Sequence, residues 1–141
     1  MKRIIVSGYF NPLHDGHLDM IEAARAMGDY VIVIVNNDAQ QMLKKGKIIL
    51  SEETRVRIIK ALRIVDEAVL SIDTDPTVCQ TLRSIRERYP DDELVFGNGG
   101  DRDSERAVPE TDVCHECSIE MVFGIAKLVD SSSRINEALG R

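Results

Sequence analysis

The sequence has no apolar run longer than Tyr30–Val35, far short of the roughly 20 residues a helix needs to cross a bilayer. Behind Met1-Lys2-Arg3 the first apolar stretch stops at Gly8. It lacks the length and the small-residue cleavage site of a secretory signal, so a cytoplasmic location is expected. An excess of basic residues is also missing: 18 Lys and Arg face 24 Asp and Glu, a net charge of −6. Broad nucleic-acid binding, which depends on cations displacing counterions, is thereby excluded. A nucleotide pocket is not, because it needs only a local positive field. Three cysteines, an odd number in a chain without an export signal, do not make a disulfide framework. Internal repeats, low-complexity tracts and linkers are absent as well.

What remains is an ordinary globular composition, 43% hydrophobic and 30% charged over 141 residues. That length suits one domain, residues 1–141, and it buries roughly two thirds of the unfolded surface without staples. Ile4–Val6 and Tyr30–Val35 are β-branched runs with almost no polar alternation, the signature of buried parallel strands. Ala68–Ile72, Leu94–Phe96 and Ile119–Phe123 are shorter strands of the same kind. Between them, Leu18, Ile21, Ala24 and Met27 recur at helical spacing, with Gly28 as the stop. Ser51 caps a second helix with Glu52 and Glu53 in its first turn and Val56, Ile59, Leu62 and Ile64 on its apolar face. Asp75-Pro76 reads as the start of a third helix, Pro109 opens a short one, and Ser131-Ser132-Ser133 caps the last. Residues 36–50 read as a polar loop. The alternation gives a five-stranded parallel sheet with helices on both faces, three layers in all.

In open α/β sheets ligands bind beyond the carboxyl ends of the strands. After the first strand comes Gly8-Tyr9-Phe10-Asn11-Pro12-Leu13-His14-Asp15-Gly16-His17. Two histidines three apart at a helix start project to one side. The helix N-terminus adds free N–H groups and a positive dipole end that suit phosphate, and imidazole donors there can stabilise phosphoryl oxygens whose charge rises in a transition state. Gly16 allows a close approach to the backbone. Against this stand a capping histidine with a core histidine, or a zinc pair. Zinc would want two further ligands nearby, and His115 lies far off in sequence.

With this string and four more in order, the chain resembles the HxGH cytidylyltransferase-like superfamily, notably its glycerol-3-phosphate cytidylyltransferases and heptose-phosphate adenylyltransferases. The others are Tyr30–Val35 with Asn36-Asn37-Asp38, Thr54-Arg55 through Arg63 to Glu67, Gly99-Gly100-Asp101, and Ser131-Ser132-Ser133-Arg134-Ile135. The resemblance implies a Rossmann-like doubly wound α/β fold. It also implies transfer of CMP or AMP from CTP or ATP to a small phosphorylated acceptor, with release of pyrophosphate.

On that basis His14, His17, Lys44 and Arg63 are the expected catalytic residues, Lys44 on a mobile loop. Gly8, Tyr9, Phe10, Asn11, Gly16, Gly100, Asp101, Ser131, Ser132 and Ser133 are the expected nucleotide contacts. Asp38, Lys47, Arg55, Arg102 and Lys127 are the expected acceptor contacts. Mg²⁺ is expected on the substrate rather than on protein ligands, and a homodimer is implied.

The sequence departs from the family pattern at Asn11, where cytidylyltransferases carry Asp, and at Gly46, where a lysine is usual and Lys47 can substitute. Arg102 replaces an aromatic, and the usual Arg before the serine motif is missing, with Lys127 the nearest basic candidate on that side. The loop and second helix favour CTP. Arg55 and Arg63 have an alternative as partners of Glu52 and Glu67. Cys114-His115-Glu116-Cys117 reads as buried structural cysteines rather than a redox or metal site. A regulatory nucleotide-binding module is the rival from another class, and a thiol-based redox or metal protein a third.

Overall fold

The computed structural model describes residues 1–98 and 108–125. Ten elements alternate along them: β1 (Lys2–Gly8), α1 (Asp15–Met27), β2 (Tyr30–Val35), α2 (Asp38–Lys45), α3 (Glu52–Lys60), β3 (Glu67–Leu70), α4 (Cys79–Arg88), β4 (Glu93–Asn98), α5 (Thr111–Glu116) and β5 (Glu120–Phe123). The five strands form one sheet in the order β3-β2-β1-β4-β5. Every pairing is parallel, with Gly8 opposite Val35 at the end of β1. This is the α/β Rossmann-like architecture that the alternation of runs predicts.

Alternate residues of the central strands feed two cores. Ile4, Val6, Val31, Val33 and Val35 point to one face and meet Ile21 and Ala24 of α1 and Ile59 of α3. Ile5, Ile32 and Ile34 point to the other and meet Leu82 and Ile85 of α4 and Val113 and Cys114 of α5. A strand buried on both faces has no polar side, which is why β2 reads Tyr-Val-Ile-Val-Ile-Val. Gly28 ends α1 where a side chain has no room: a Cβ there would lie 2.8 Å from Ile4 Cγ1 and 2.9 Å from the Lys2 carbonyl.

The expected polar loop at 36–50 is instead broken by helix α2. Asn37 is its N-cap: Oδ1 accepts from the Gln40 N–H, and Gln40 Oε1 accepts from the Asn37 N–H in return. Gly46 ends it in the left-handed region, φ 68°. Lys44 therefore stands on a helix, not on a mobile loop. The third expected helix also moves. Asp75 turns its carboxylate onto Thr77, accepting from the backbone N–H and Oγ1. Helix α4 begins four residues after Asp75, and the buried Asp73 accepts its free N–H groups from Gln80 and Thr81. No helix among the described residues is long and apolar enough to cross a membrane.

Candidate active site

An open pocket of about 830 Å³ lies beyond the carboxyl end of β1, between the start of α1 and helix α2. Its floor begins where β1 leaves the sheet. Phe10 adopts φ 53°, a region that bulky residues avoid, and its ring is buried at 1% exposure. The ring packs on Gly8, where a Cβ would come within 2.8 Å of Phe10 Cζ. The same ring meets His17 edge-on at 4.8 Å. The Asn11–Pro12 peptide is cis.

His14 and His17 do two jobs at once. His14 is the N-cap of α1, its Nδ1 accepting the Gly16 N–H at 3.1 Å. Nδ1 of His17 accepts the His14 N–H at 3.2 Å. In a neutral imidazole one nitrogen accepts and the other carries hydrogen, so both rings keep their proton on Nε2. The rings stack with centroids 3.8 Å apart. Burial first, then His14, pushes His17 down to about 4. Neutral pH therefore finds His17 uncharged, an N–H donor of fixed orientation. Gly16 serves this arrangement directly, because a Cβ on it would come within 3.0 Å of His14 Cε1. Capping and pocket-lining were alternatives in the sequence; here each histidine caps and also lines the pocket.

The opposite wall comes from α2 and the segment behind it. Lys44 holds its Nζ 4.5 Å over the Tyr9 ring, a cation–π contact, and Lys45 and Lys47 line the same pocket. Asn11 staples residues 47–50 to the β1 loop. Its Oδ1 accepts from the N–H groups of Ile49 and Leu50 at 3.0 and 2.8 Å, and its Nδ2 donates to the Lys47 carbonyl at 3.4 Å. Aspartate would lose that last donor and set two oxygens together, which gives the departure at position 11 a physical reason. The side chains of this segment stay open: Ile48 and Ile49 are 38% and 57% exposed.

Three predicted residues are not brought to the pocket surface. Arg55 is fully buried. Its guanidinium donates to the carbonyls of Leu50, Tyr9 and Asn36 and to Asp38 Oδ1 at 2.6 Å. Asp38 is thereby engaged too, so the pair ties together the β1 loop, the end of β2 and the starts of α2 and α3 rather than facing a ligand. Neither Glu52 nor Glu67 is its partner; Glu52 accepts the Asp38 N–H. Arg63 lies toward the amino ends of the strands, away from the pocket. Helix α3 runs back across the sheet and stops at Lys60, and exposed Arg63 follows, close to Asp66, whose N–H bonds the Val31 carbonyl near the start of β2. Gly100, Asp101, Arg102, Lys127, Ser131, Ser132 and Ser133 lie outside the described residues.

The sequence reading missed Gln40 and Gln41. Buried Gln40 donates to the carbonyls of Asp75 and Thr77, fixing α2 against the loop after β3. Gln41 lines the pocket. The signal was there: Asn37 and Gln40 stand at capping-box spacing, with Gly46 as a stop. Away from the pocket, Cys114 packs in the second core, its thiol pushed up to about 12 by burial. The three cysteines are free, and no metal-binding cluster occurs among the described residues.

This chain belongs to the cytidylyltransferase-like family, whose model matches residues 5–134. Its fold and motifs are those of a nucleotidyltransferase enzyme. It is 31% identical over 133 residues to an FAD synthase of Methanothrix thermoacetophila, covering 86% of this chain and 91% of that relative. It is 40% identical over 75 residues to an FAD synthase of Ferroglobus placidus, 53% of this chain and 49% of the relative. A glycerol-3-phosphate cytidylyltransferase of Bacillus subtilis is 38% identical over 69 residues, 49% of this chain and 54% of the relative. The chain thus spans about half the length of the latter two. Among solved structures it is similar to a lipopolysaccharide core biosynthesis protein from Thermoplasma volcanium, with TM-score 0.66 and 26% identity over 87% of this chain and 93% of that one.

Proposed function

We propose that this chain transfers the adenylyl group of ATP to FMN, forming FAD. An oxygen of the FMN phosphate attacks the α-phosphorus of ATP; the bond to the β-phosphate oxygen breaks, and pyrophosphate leaves with the electron pair. The carrying observation is the composition of the pocket wall. Imidazole donors and lysines face a volume of about 830 Å³ that is also walled by exposed Ile49. A flavin ring has the apolar surface to cover such a wall, and a three-carbon phosphate does not. The names of the Methanothrix and Ferroglobus relatives support the same reading.

In this reading Nε2–H of His14 and His17 donates to the phosphoryl oxygens as charge grows on them. The N-terminus of α1 adds its dipole. Lys44 and Lys47 supply cations to the triphosphate and to the acceptor phosphate. The reaction needs positioning and charge stabilisation rather than a protein nucleophile. The described pocket lining contains no carboxylate, so Mg²⁺ would be carried on phosphate oxygens. Gly100, Asp101, Ser131, Ser132 and Ser133 on the nucleotide side, and Arg102 and Lys127 on the acceptor side, complete the proposed contacts.

CTP with glycerol 3-phosphate is the second reading, favoured by the Bacillus relative and by the likeness of the lysine segment. Pyrophosphate release with Mg²⁺ separates the two, using ATP or CTP against FMN or glycerol 3-phosphate. The expected signal is ATP with FMN, lost in His17→Ala. Release only with CTP and glycerol 3-phosphate overturns the flavin reading. Tight nucleotide binding without release for any pair supports a regulatory module.

A further inference from the structure

We propose that Gln41 and Tyr9 form a polar subsite that reads a hydroxyl group of the acceptor, so that this chain selects phosphate esters of polyols. The proposal rests on the nucleotidyltransfer reading but not on FMN as the acceptor. Among the described residues, two buried side-chain polar atoms lack a hydrogen-bond partner, Gln41 Oε1 and the Tyr9 hydroxyl. Both side chains line the one pocket that holds the histidines. Buried polar atoms in native proteins are almost always satisfied, and a pair of exceptions lining the same pocket points to a ligand.

The identity of the orphan atom in Gln41 is fixed by its neighbour. Gln41 is 3% exposed, and its Nε2 donates to the Lys47 carbonyl at 3.1 Å. Turning the amide over would set Oε1 against that carbonyl, so Oε1 is the free end, an acceptor without a donor. Phosphate cannot satisfy it, because an ionised phosphate near neutral pH has almost no hydrogen to give. The donors of the pocket, His14, His17, Lys44, Lys45 and Lys47, already suit the phosphates. An alcohol has the chemistry of both orphans: a hydrogen for Gln41 Oε1 and an oxygen that can accept from the Tyr9 hydroxyl. An imide N–H would satisfy Gln41 alone. Glycerol phosphates and ribityl phosphates both carry such hydroxyls.

The test edits ligand and protein together. Binding is measured for FMN against a flavin phosphate with a plain pentyl side chain, and for glycerol 3-phosphate against n-propyl phosphate. Each pair is run with a non-hydrolysable ATP or CTP analogue present. The wild-type protein is expected to bind the hydroxylated member about tenfold more tightly, the scale of one well-made hydrogen bond. Gln41→Leu is expected to erase that preference, and Tyr9→Phe to weaken it. A merely structural glutamine would lower affinity for both members alike. Equal wild-type affinity within both pairs, binding of neither pair, or full discrimination retained in Gln41→Leu overturns the subsite; the first two need no variant to fold. Discrimination with glycerol 3-phosphate but no binding of FMN upholds the subsite and removes the flavin reading. Turnover of FMN without discrimination does the reverse.

Discussion

The imidazole of His17 lies against that of His14 with centroids 3.8 Å apart, and its Nδ1 holds the main-chain N–H of the same residue whose ring it stacks on. Helix capping and the proposed phosphoryl contact therefore share one pair of side chains, and a substitution can separate them. Asparagine is a good N-cap. His14→Asn is expected to unfold in urea at a midpoint near wild type, while kcat for pyrophosphate release falls by about 10²–10³. His14→Ala is expected to lose the same activity and also about 1 kcal/mol of stability. A His14→Asn enzyme with full kcat would remove the imidazole from the mechanism.

The low value of His17 sets a pH dependence with a definite sign. Its folded-state value of about 4 lies below the ordinary histidine value of about 6.5. As pH falls, the unfolded chain takes up the proton first, so stability linked to His17 is intact above about pH 6.5 and is lost toward pH 4. Urea midpoints are expected to fall across that window in the wild type and to fall less in His17→Asn. The His17 ring proton signal in NMR should stay flat from pH 8 down to pH 5. A titration centred near 6.5 would sink this account.

Arg55 places a fully buried charge among three carbonyls and Asp38. Removing the guanidinium leaves the three carbonyls without their donor, while Asp38, 30% exposed, keeps some contact with water. Arg55→Ala is expected to cost about 3–5 kcal/mol in urea unfolding. Arg55→Lys should recover only part of this, because an ammonium cannot reproduce the guanidinium fork. A loss below about 1 kcal/mol, the range of a surface pair, would mean that the residue anchors nothing.

Gly16 gives a case where stability and rate should part company. Alanine is the better helix former by about 1 kcal/mol, yet its Cβ would press on His14 Cε1 at 3.0 Å. The neighbour is a side chain, so the ring can move and the helix survives. Gly16→Ala is expected to melt at or above the wild-type temperature while kcat falls about tenfold or more from misplacement of the ring. Unchanged kcat would show that the ring position is not critical.

The strands were legible because β-branched runs with no polar side occur only where both faces are covered; Tyr30–Val35 was read to the residue. Helix α2 was hidden by its composition, since Asn37 and Asp38 look like loop and only the Asn37–Gln40 spacing announces a cap. Asp75-Pro76 misled because the carboxylate has two possible customers. It takes Thr77, and a residue two positions upstream, Asp73, reaches α4 instead. The histidines were legible as a local string. Arg55 and Arg63 were not, because their roles turn on the direction of α3, which starts beside the β1 loop and runs toward the amino ends of the strands. Eight residues apart on a chain that crosses the molecule, they cannot share a site at one end of it.

The bond from Arg55 to the Tyr9 carbonyl spans 46 positions of sequence, and that separation is also an interval of time. During synthesis both histidines leave the ribosome well before Arg55 does. Until then the turn that carries them lacks this anchor, although every residue of the motif is already present. The turn is thus secured by a residue made after the motif, and a fragment ending before α3 would hold it through the Asn11 contacts to residues 47–50 alone.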